Sequence, residues 1–109
     1  MRFEVSEIMK SRSYFLALLA LKTGPKHGYE IAAHIKAKSR GFFTVSFGNL
    51  YPILHKLEKN GLVEAVWEDK GEQKNKKIYT LTAQGLAELE IETQQFSAMI
   101  DAFAGLMET

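Results

Sequence analysis

Cysteine is absent from the 109-residue chain. That excludes disulfides and zinc sites built on thiolates, and a reducing compartment suits such a sequence. Long apolar runs are absent as well. The most apolar stretch, Tyr14 to Leu21, is preceded by Lys10 and Arg12 and followed by Lys22. At about eight residues it falls far short of the roughly 20 that span a bilayer. It reads as a core helix; neither a signal peptide nor a membrane span is expected, and a cytoplasmic location is. Histidine is scarce. His27, His34 and His55 are scattered, and no local nucleophile–base pair can be assembled. An enzyme is therefore not expected. His27 and His34, with Glu30 as a third group, make a poor metal set, so neither a metal nor a cofactor is expected.

Basic residues are missing from one end. All 14 Lys and Arg lie between Arg2 and Lys77, while residues 83–109 hold Glu88, Glu90, Glu92, Asp101 and Glu108. The formal charge of +1 thus divides into +6 over the first 82 residues and −5 over the rest. A basic part that meets a polyanion and an acidic part with another task are implied.

The elements that are present follow a clear order. Glu7 to Lys22 reads as a helix ended by Thr23-Gly24-Pro25. A second helix runs from about His27 to Lys38, with Ile31, Ala32 and Ile35 as its apolar face. Phe42, Phe43 and Val45 form an extended link. A third helix spans about Ser46 to Asn60, with Ser46 as N-cap and Leu50, Ile53, Leu54 and Leu57 as a buried stripe. Pro52 inside it predicts a bend or a late start. Leu62–Glu68 and Lys76–Thr82 read as two strands of a hairpin with a polar loop, and Trp67 on the first as a structural plug. Thr82 caps a last helix reaching Met107, about 37 Å long. The fold predicted is mainly α with a small β-hairpin: a winged helix-turn-helix domain over 1–82 and a C-terminal dimerisation helix over 83–109.

On a wheel of about 100° per residue, the third helix turns Gly48, Asn49, Tyr51, Pro52, His55, Lys56 and Lys59 outward. Asn and Lys side chains can bond base edges in a major groove, and Tyr hydroxyls anchor phosphates. A solvated basic face is the plain alternative. The position of this helix, after a tight helix pair and before a basic hairpin loop, favours double-stranded DNA. Ser46, Asn49, Tyr51, Pro52, His55, Lys56 and Lys59 are the candidate contacts, with Lys70, Lys74, Lys76 and Lys77 of the wing straddling the backbone. No aromatic stacking platform is visible outside the core, which argues against RNA.

Leu86, Leu89, Thr93, Phe96, Ile100, Phe103 and Met107 alternate by three and four, the pattern of a helix packed along another helix. Packing against the first helix of the same subunit is the alternative and accounts for part of the stripe; a helix of this length outruns a small core, so a homodimer interface is expected for the rest. Twofold symmetry would place two recognition helices about 34 Å apart on a pseudo-palindromic site. Glu90 and Glu92 flank the seam, where Lys10 or Arg12 of the first helix would suit them.

These residues resemble the PadR family of transcriptional regulators. The motifs are Gly24-Pro25-x-His27-Gly28-Tyr29-Glu30-Ile31, Ser46-x-Gly48-x-Leu50-Tyr51-Pro52-x-Leu54-x-x-Leu57-Glu58, Gly61-Leu62-Val63 with Trp67, and Tyr79-x-Leu81-Thr82-x-x-Gly85. The resemblance covers roughly residues 12–90 and is similar to the compact subgroup with a single C-terminal helix. It implies a homodimeric repressor released from its operator by a small molecule or other signal. It implies that Tyr51 approaches the DNA backbone and that Gly28 permits close helix approach. Phe47 departs from the family, standing where proline is frequent. The resemblance also implies a pocket for a small planar apolar ligand beside the last helix, over Phe15, Phe96, Met99, Ile100 and Phe103; the same side chains filling a dimer core is the alternative. A winged-helix protein-interaction module without DNA binding is the rival reading of the whole chain.

Overall fold

The computed structural model describes residues 5–68 and 76–108, with side chains from Arg12 onward. Seven elements follow one another: α1 (Val5–Leu21), β1 (Lys26–His27), α2 (Gly28–Lys38), α3 (Phe47–Lys59), β2 (Val63–Glu68), β3 (Lys76–Leu81) and α4 (Ala83–Met107). Each predicted helix and both predicted strands are present within a residue or two of the expected ends.

The sheet has one strand more than the expected hairpin. Its order is β1-β3-β2, all antiparallel, with Lys26 opposite Tyr79 and His27 opposite Ile78. Two residues are too short to carry a strand period, so the sequence pattern assigned His27 to the helix start. His27 instead serves as extended N-cap of α2, its backbone N–H donating to the Glu30 carboxylate at 3.0 Å. Glycines end α1 and α3 in the left-handed region, Gly24 at φ 139° and Gly61 at φ 77°. The link from α2 to α3 turns through Arg40 at φ 54° and Gly41 at φ 78°.

The core is a single cluster. Ala17, Leu18, Ala20 and Leu21 of α1 meet Ile31 and Ile35 of α2 and Leu50, Leu54 and Leu57 of α3, all nearly sealed from solvent. Val63, Tyr79 and Leu89 complete it from β2, β3 and α4. Burying one such Leu or Ile stabilises the fold by about 1.5–3 kcal/mol, so this cluster fixes the pose of α3. Pro52 does not delay α3: the helix is already formed at Phe47. The N–H that Pro52 lacks would have reached the Gly48 carbonyl, on an exposed turn that water can satisfy.

α4 starts at Thr82, whose Oγ1 accepts from the Gly85 N–H at 3.0 Å and donates to the Gly61 carbonyl at 2.7 Å. Gly85 and Leu89 bury its first two turns, and Glu92 and Phe96 leave the next two half-buried, Phe96 against Phe15 of α1. The part beyond Phe96 projects, and the molecule measures 61 × 27 × 26 Å. No helix among the described residues is long and apolar enough to cross a membrane.

Candidate nucleic-acid interface

α3 carries the site because its two faces differ completely. Leu50 and Leu54 are fully buried, whereas Ser46, Asn49, Tyr51, Pro52, His55, Lys56 and Lys59 are all exposed. The helix start is fixed by Ser46, whose Oγ accepts from the Asn49 N–H at 3.2 Å. Asn49 is thereby placed in the first turn, the end that a recognition helix presents to base edges.

The exposed cations differ in their surroundings. Lys59 and Lys76 are solvent-exposed. Lys56 leans toward α1, its Nζ 5.8 Å from the centre of the Tyr14 ring. Lys77 is tied down: its Nζ donates to Glu58 at 2.9 Å and lies 5.7 and 5.8 Å from the Trp67 and Tyr79 ring centres. The bond to Glu58 holds the Lys77 ammonium above the usual lysine range, against a smaller opposing effect of burial. Lys77 therefore fastens the wing to α3. Lys70 and Lys74 lie outside the described residues.

Trp67 is no structural plug. It is 66% exposed although it shares a face of β2 with buried Val63 and half-buried Ala65, because it sits at the far end of the strand, where the Lys77 side chain lies against its ring. Val66 is exposed as well, so β2 contributes little to the core beyond Val63.

The wing is also held to α2. His27 Nδ1 contacts Glu30, and Nε2 lies 3.2 Å from Glu68 at the end of β2. The backbone hydrogen bond from His27 holds the Glu30 carboxyl below its ordinary range, outweighing desolvation. His34, in contrast, is pushed down by burial and then by Lys26 and Lys38. The two histidines share no site, and no group of three metal-ligating side chains occurs among the described residues.

Sequence reasoning missed an exposed row of rings. Tyr29 and Phe47 stack with centres 4.6 Å apart and planes 12° apart. Phe47 lies 6.1 Å from Tyr51, and Tyr51 stacks on His55 at 6.5 Å. Phe47, Tyr51 and His55 are four apart on α3, a spacing that marks one helix flank. That spacing was the available signal: Tyr51 and His55 fall on the outward face of the wheel, and Phe47, one turn earlier, extends the same flank.

On α4, Leu89 is buried within the chain's own core, which leaves it no surface for a partner. Phe96 packs on Phe15 of α1 at 5.3 Å between ring centres. Leu86, Thr93, Ile100, Phe103 and Met107 are exposed, together with Ile91, Met99 and Leu106. A cavity of about 480 Å³ lies between α1, α3 and α4, lined by Tyr14, Leu18, Lys56, Leu57, Asn60, Leu62, Gln84, Glu88 and Glu92. None of the expected pocket residues lines it. Oε2 of Glu92 is buried there with no hydrogen-bond partner among the described residues, and burial followed by the Glu88 charge pushes its carboxyl up. Arg12, foreseen beside Glu92, does not contribute to that shift; the Lys10 side chain is outside the described residues.

Comparison with known proteins gives this geometry a context. The model of the transcriptional regulator PadR-like family matches residues 16–91, more than two thirds of the chain. The negative transcriptional regulator PadR of Bacillus subtilis is 33% identical over 69 residues, covering 63% of this chain and 38% of that protein. A transcriptional regulator of Clostridium thermocellum has the same fold, with a TM-score of 0.80 at 21% identity over 97% of this chain and all of that one. Bacillus subtilis PadR in complex with operator DNA superposes with a TM-score of 0.68 at 30% identity, over 73% of this chain and 46% of that chain.

Proposed function

The chain belongs to the PadR-like family of transcriptional regulators, and from that premise we propose that it is a homodimeric repressor that binds a pseudo-palindromic operator in double-stranded DNA. The observation that carries the reading is the one-sided exposure of α3. Its leucines are sealed in the core, and every candidate contact from Ser46 to Lys59 faces solvent. A solved relative, Bacillus subtilis PadR, is bound to operator DNA.

In this reading residues 1–82 form the DNA-binding unit. The outward face of α3 enters a major groove. Asn49 accepts and donates to an adenine edge, Lys59 bonds guanine or phosphate, and Tyr51 with Ser46 anchors the backbone beside Pro52 and His55. Lys56 joins them when it leaves the Tyr14 ring. Lys76 of the wing, with Lys70 and Lys74, follows the phosphates; Lys77 holds the wing at its angle. Lysine lacks the bidentate fork of arginine, so the wing supports affinity more than sequence choice.

Residues 83–109 form the dimerisation helix. The exposed stripe of Ile100, Phe103 and Met107, flanked by Met99 and Leu106, is the surface a second copy would cover, with Leu86, Thr93 and Phe96 nearer the root. An effector, if planar and apolar, would enter between this stripe and Phe15. Such a regulator works in the cytoplasm, where its operator is.

Selection of bound duplexes from a random pool tests the reading. A two-part site with half-sites about one helical turn apart, bound with a steep salt dependence, is expected. Failure to enrich any duplex would overturn it in favour of a protein-interaction module.

A further inference from the structure

We infer that the stacked pair Tyr29–Phe47 is an apolar reading surface that selects a thymine in the bound half-site through its 5-methyl group. The inference rests on the DNA-binding reading above and deepens it.

Phe47 is the first residue of α3, directly after the N-cap Ser46. Its ring lies over Gly28, where a β-carbon would fall 2.1 Å from Cε2. Tyr29 covers one of its faces at 4.6 Å. Phe47 is nevertheless 36% exposed and Tyr29 66%. The two rings thus form a rigid, half-open apolar step at the end of the helix that enters the groove. Their place is set before DNA arrives, so little ordering is required on binding.

The chemistry of the groove decides what such a step reads. Of the features that base pairs display in the major groove, the thymine methyl is the apolar one; the others are hydrogen-bond donors and acceptors. A donor or acceptor pressed against a phenyl ring loses water and gains no partner. A methyl group there is simply buried. Tyr29 carries a hydroxyl at the tip of its ring, which leaves the exposed Phe47 ring as the apolar part of the step; Tyr51 and His55, further along α3, are suited to phosphate or to the next base. Single-stranded nucleic acid, which stacks on open ring faces, is disfavoured because Phe47 and Tyr29 spend a face each on the other.

Phe47→Pro provides a clean control. Proline is well tolerated at the first helical position, and Ser46 already has the extended backbone, φ −75° and ψ 153°, that a following proline requires. The experiment takes the full chain and a duplex selected from a random pool. Each thymine of a half-site is replaced singly by deoxyuridine, which lacks only the 5-methyl group, and Kd is measured by fluorescence anisotropy. One position is expected to weaken binding about fourfold, the equivalent of one buried methyl. The same replacement is expected to have no effect on Phe47→Pro, whose fold is checked by circular dichroism. The proposal is overturned if no deoxyuridine substitution matters, if the sensitive position stays sensitive in Phe47→Pro, or if the single strand binds as tightly as the duplex. If the native chain binds no duplex at all, the DNA-binding reading fails first and this inference with it.

Discussion

Gly28 and Phe47 meet where no β-carbon fits: one built on Gly28 would lie 2.1 Å from Cε2 and 2.8 Å from Cδ2 of the Phe47 ring. The contact joins the start of α2 to the start of α3, the two helices whose relative pose defines the motif. Gly28→Ala must push the ring off its seat. A loss of about 1–3 kcal/mol is expected, read as a lower denaturation midpoint in urea. Removing the ring should relieve it: in a double-mutant cycle with Phe47→Pro, most of the penalty is expected to disappear. Additive penalties would show that the two residues do not press on each other.

Gly85 has a harder neighbour. A β-carbon there would fall 1.9 Å from the Leu62 carbonyl oxygen, which is backbone and cannot swing aside. Gly85→Ala is expected to cost at least the upper part of about 1–3 kcal/mol. Gly105, in the projecting part of the same helix, has nothing within 4 Å. Gly105→Ala is expected to stabilise the chain by roughly 0.5–1 kcal/mol. Thermal unfolding of the two variants should therefore shift in opposite directions.

Much of this was legible in the sequence, and the misses have a common cause. The α3 stripe, the Ser46 and Thr82 caps and the glycine stops are local signals, and each fell in place. β1 was not legible because its two residues are extended only through pairing with β3, a contact more than 50 residues away. Leu89 was read with the dimer stripe because heptad spacing continues smoothly past it; only the packing of α4 on the core separates Leu89 from Ile100. Lys77 looked like any wing lysine, since nothing local announces Glu58, 19 residues upstream.

Lys77 and Lys76 should consequently behave differently. Lys76→Ala is expected to lower the log–log salt slope of DNA binding by about one per subunit and leave stability unchanged. Lys77→Met is expected to lower stability by about 0.5–1 kcal/mol. The raised Lys77 pKa gives the sign with pH. The stabilisation is fully present below the ordinary lysine value of 10.5 and is lost as pH rises through the raised value. Urea titrations at neutral and strongly alkaline pH should show the native chain and Lys77→Met converging in alkali.

Glu92 runs the other way. Its carboxyl is raised by burial and by Glu88, so the ionised form costs stability at neutral pH, and that cost is relieved as pH falls through the raised value. Glu92→Gln is expected to stabilise the chain at pH 7 by no more than roughly 1 kcal/mol, given solvent screening at so shallow a site. The gain should shrink as pH approaches the ordinary carboxylate value of 4.5. A destabilised Glu92→Gln at pH 7 would mean that Oε2 has a partner in solution.

The two parts of α4 should separate by mutation. Leu89→Ala is expected to cost about 2–5 kcal/mol and weaken the fold itself. Replacing Ile100 and Phe103 together by serine, both more than half exposed, is expected to leave unfolding of the subunit nearly unchanged and to yield monomers in sedimentation experiments. A dimer that survives the double replacement would place the interface elsewhere.

The most direct measurement of the central claim is the affinity of the full chain for its selected duplex, taken across a salt series, beside the variant carrying Lys56→Glu and Lys59→Glu. The native chain is predicted to bind with an affinity that falls steeply with salt, and the charge-reversed α3 to lose duplex binding while remaining folded and dimeric. Retention of tight, sequence-selective binding by the variant would contradict the assignment of α3 as the surface that reads DNA.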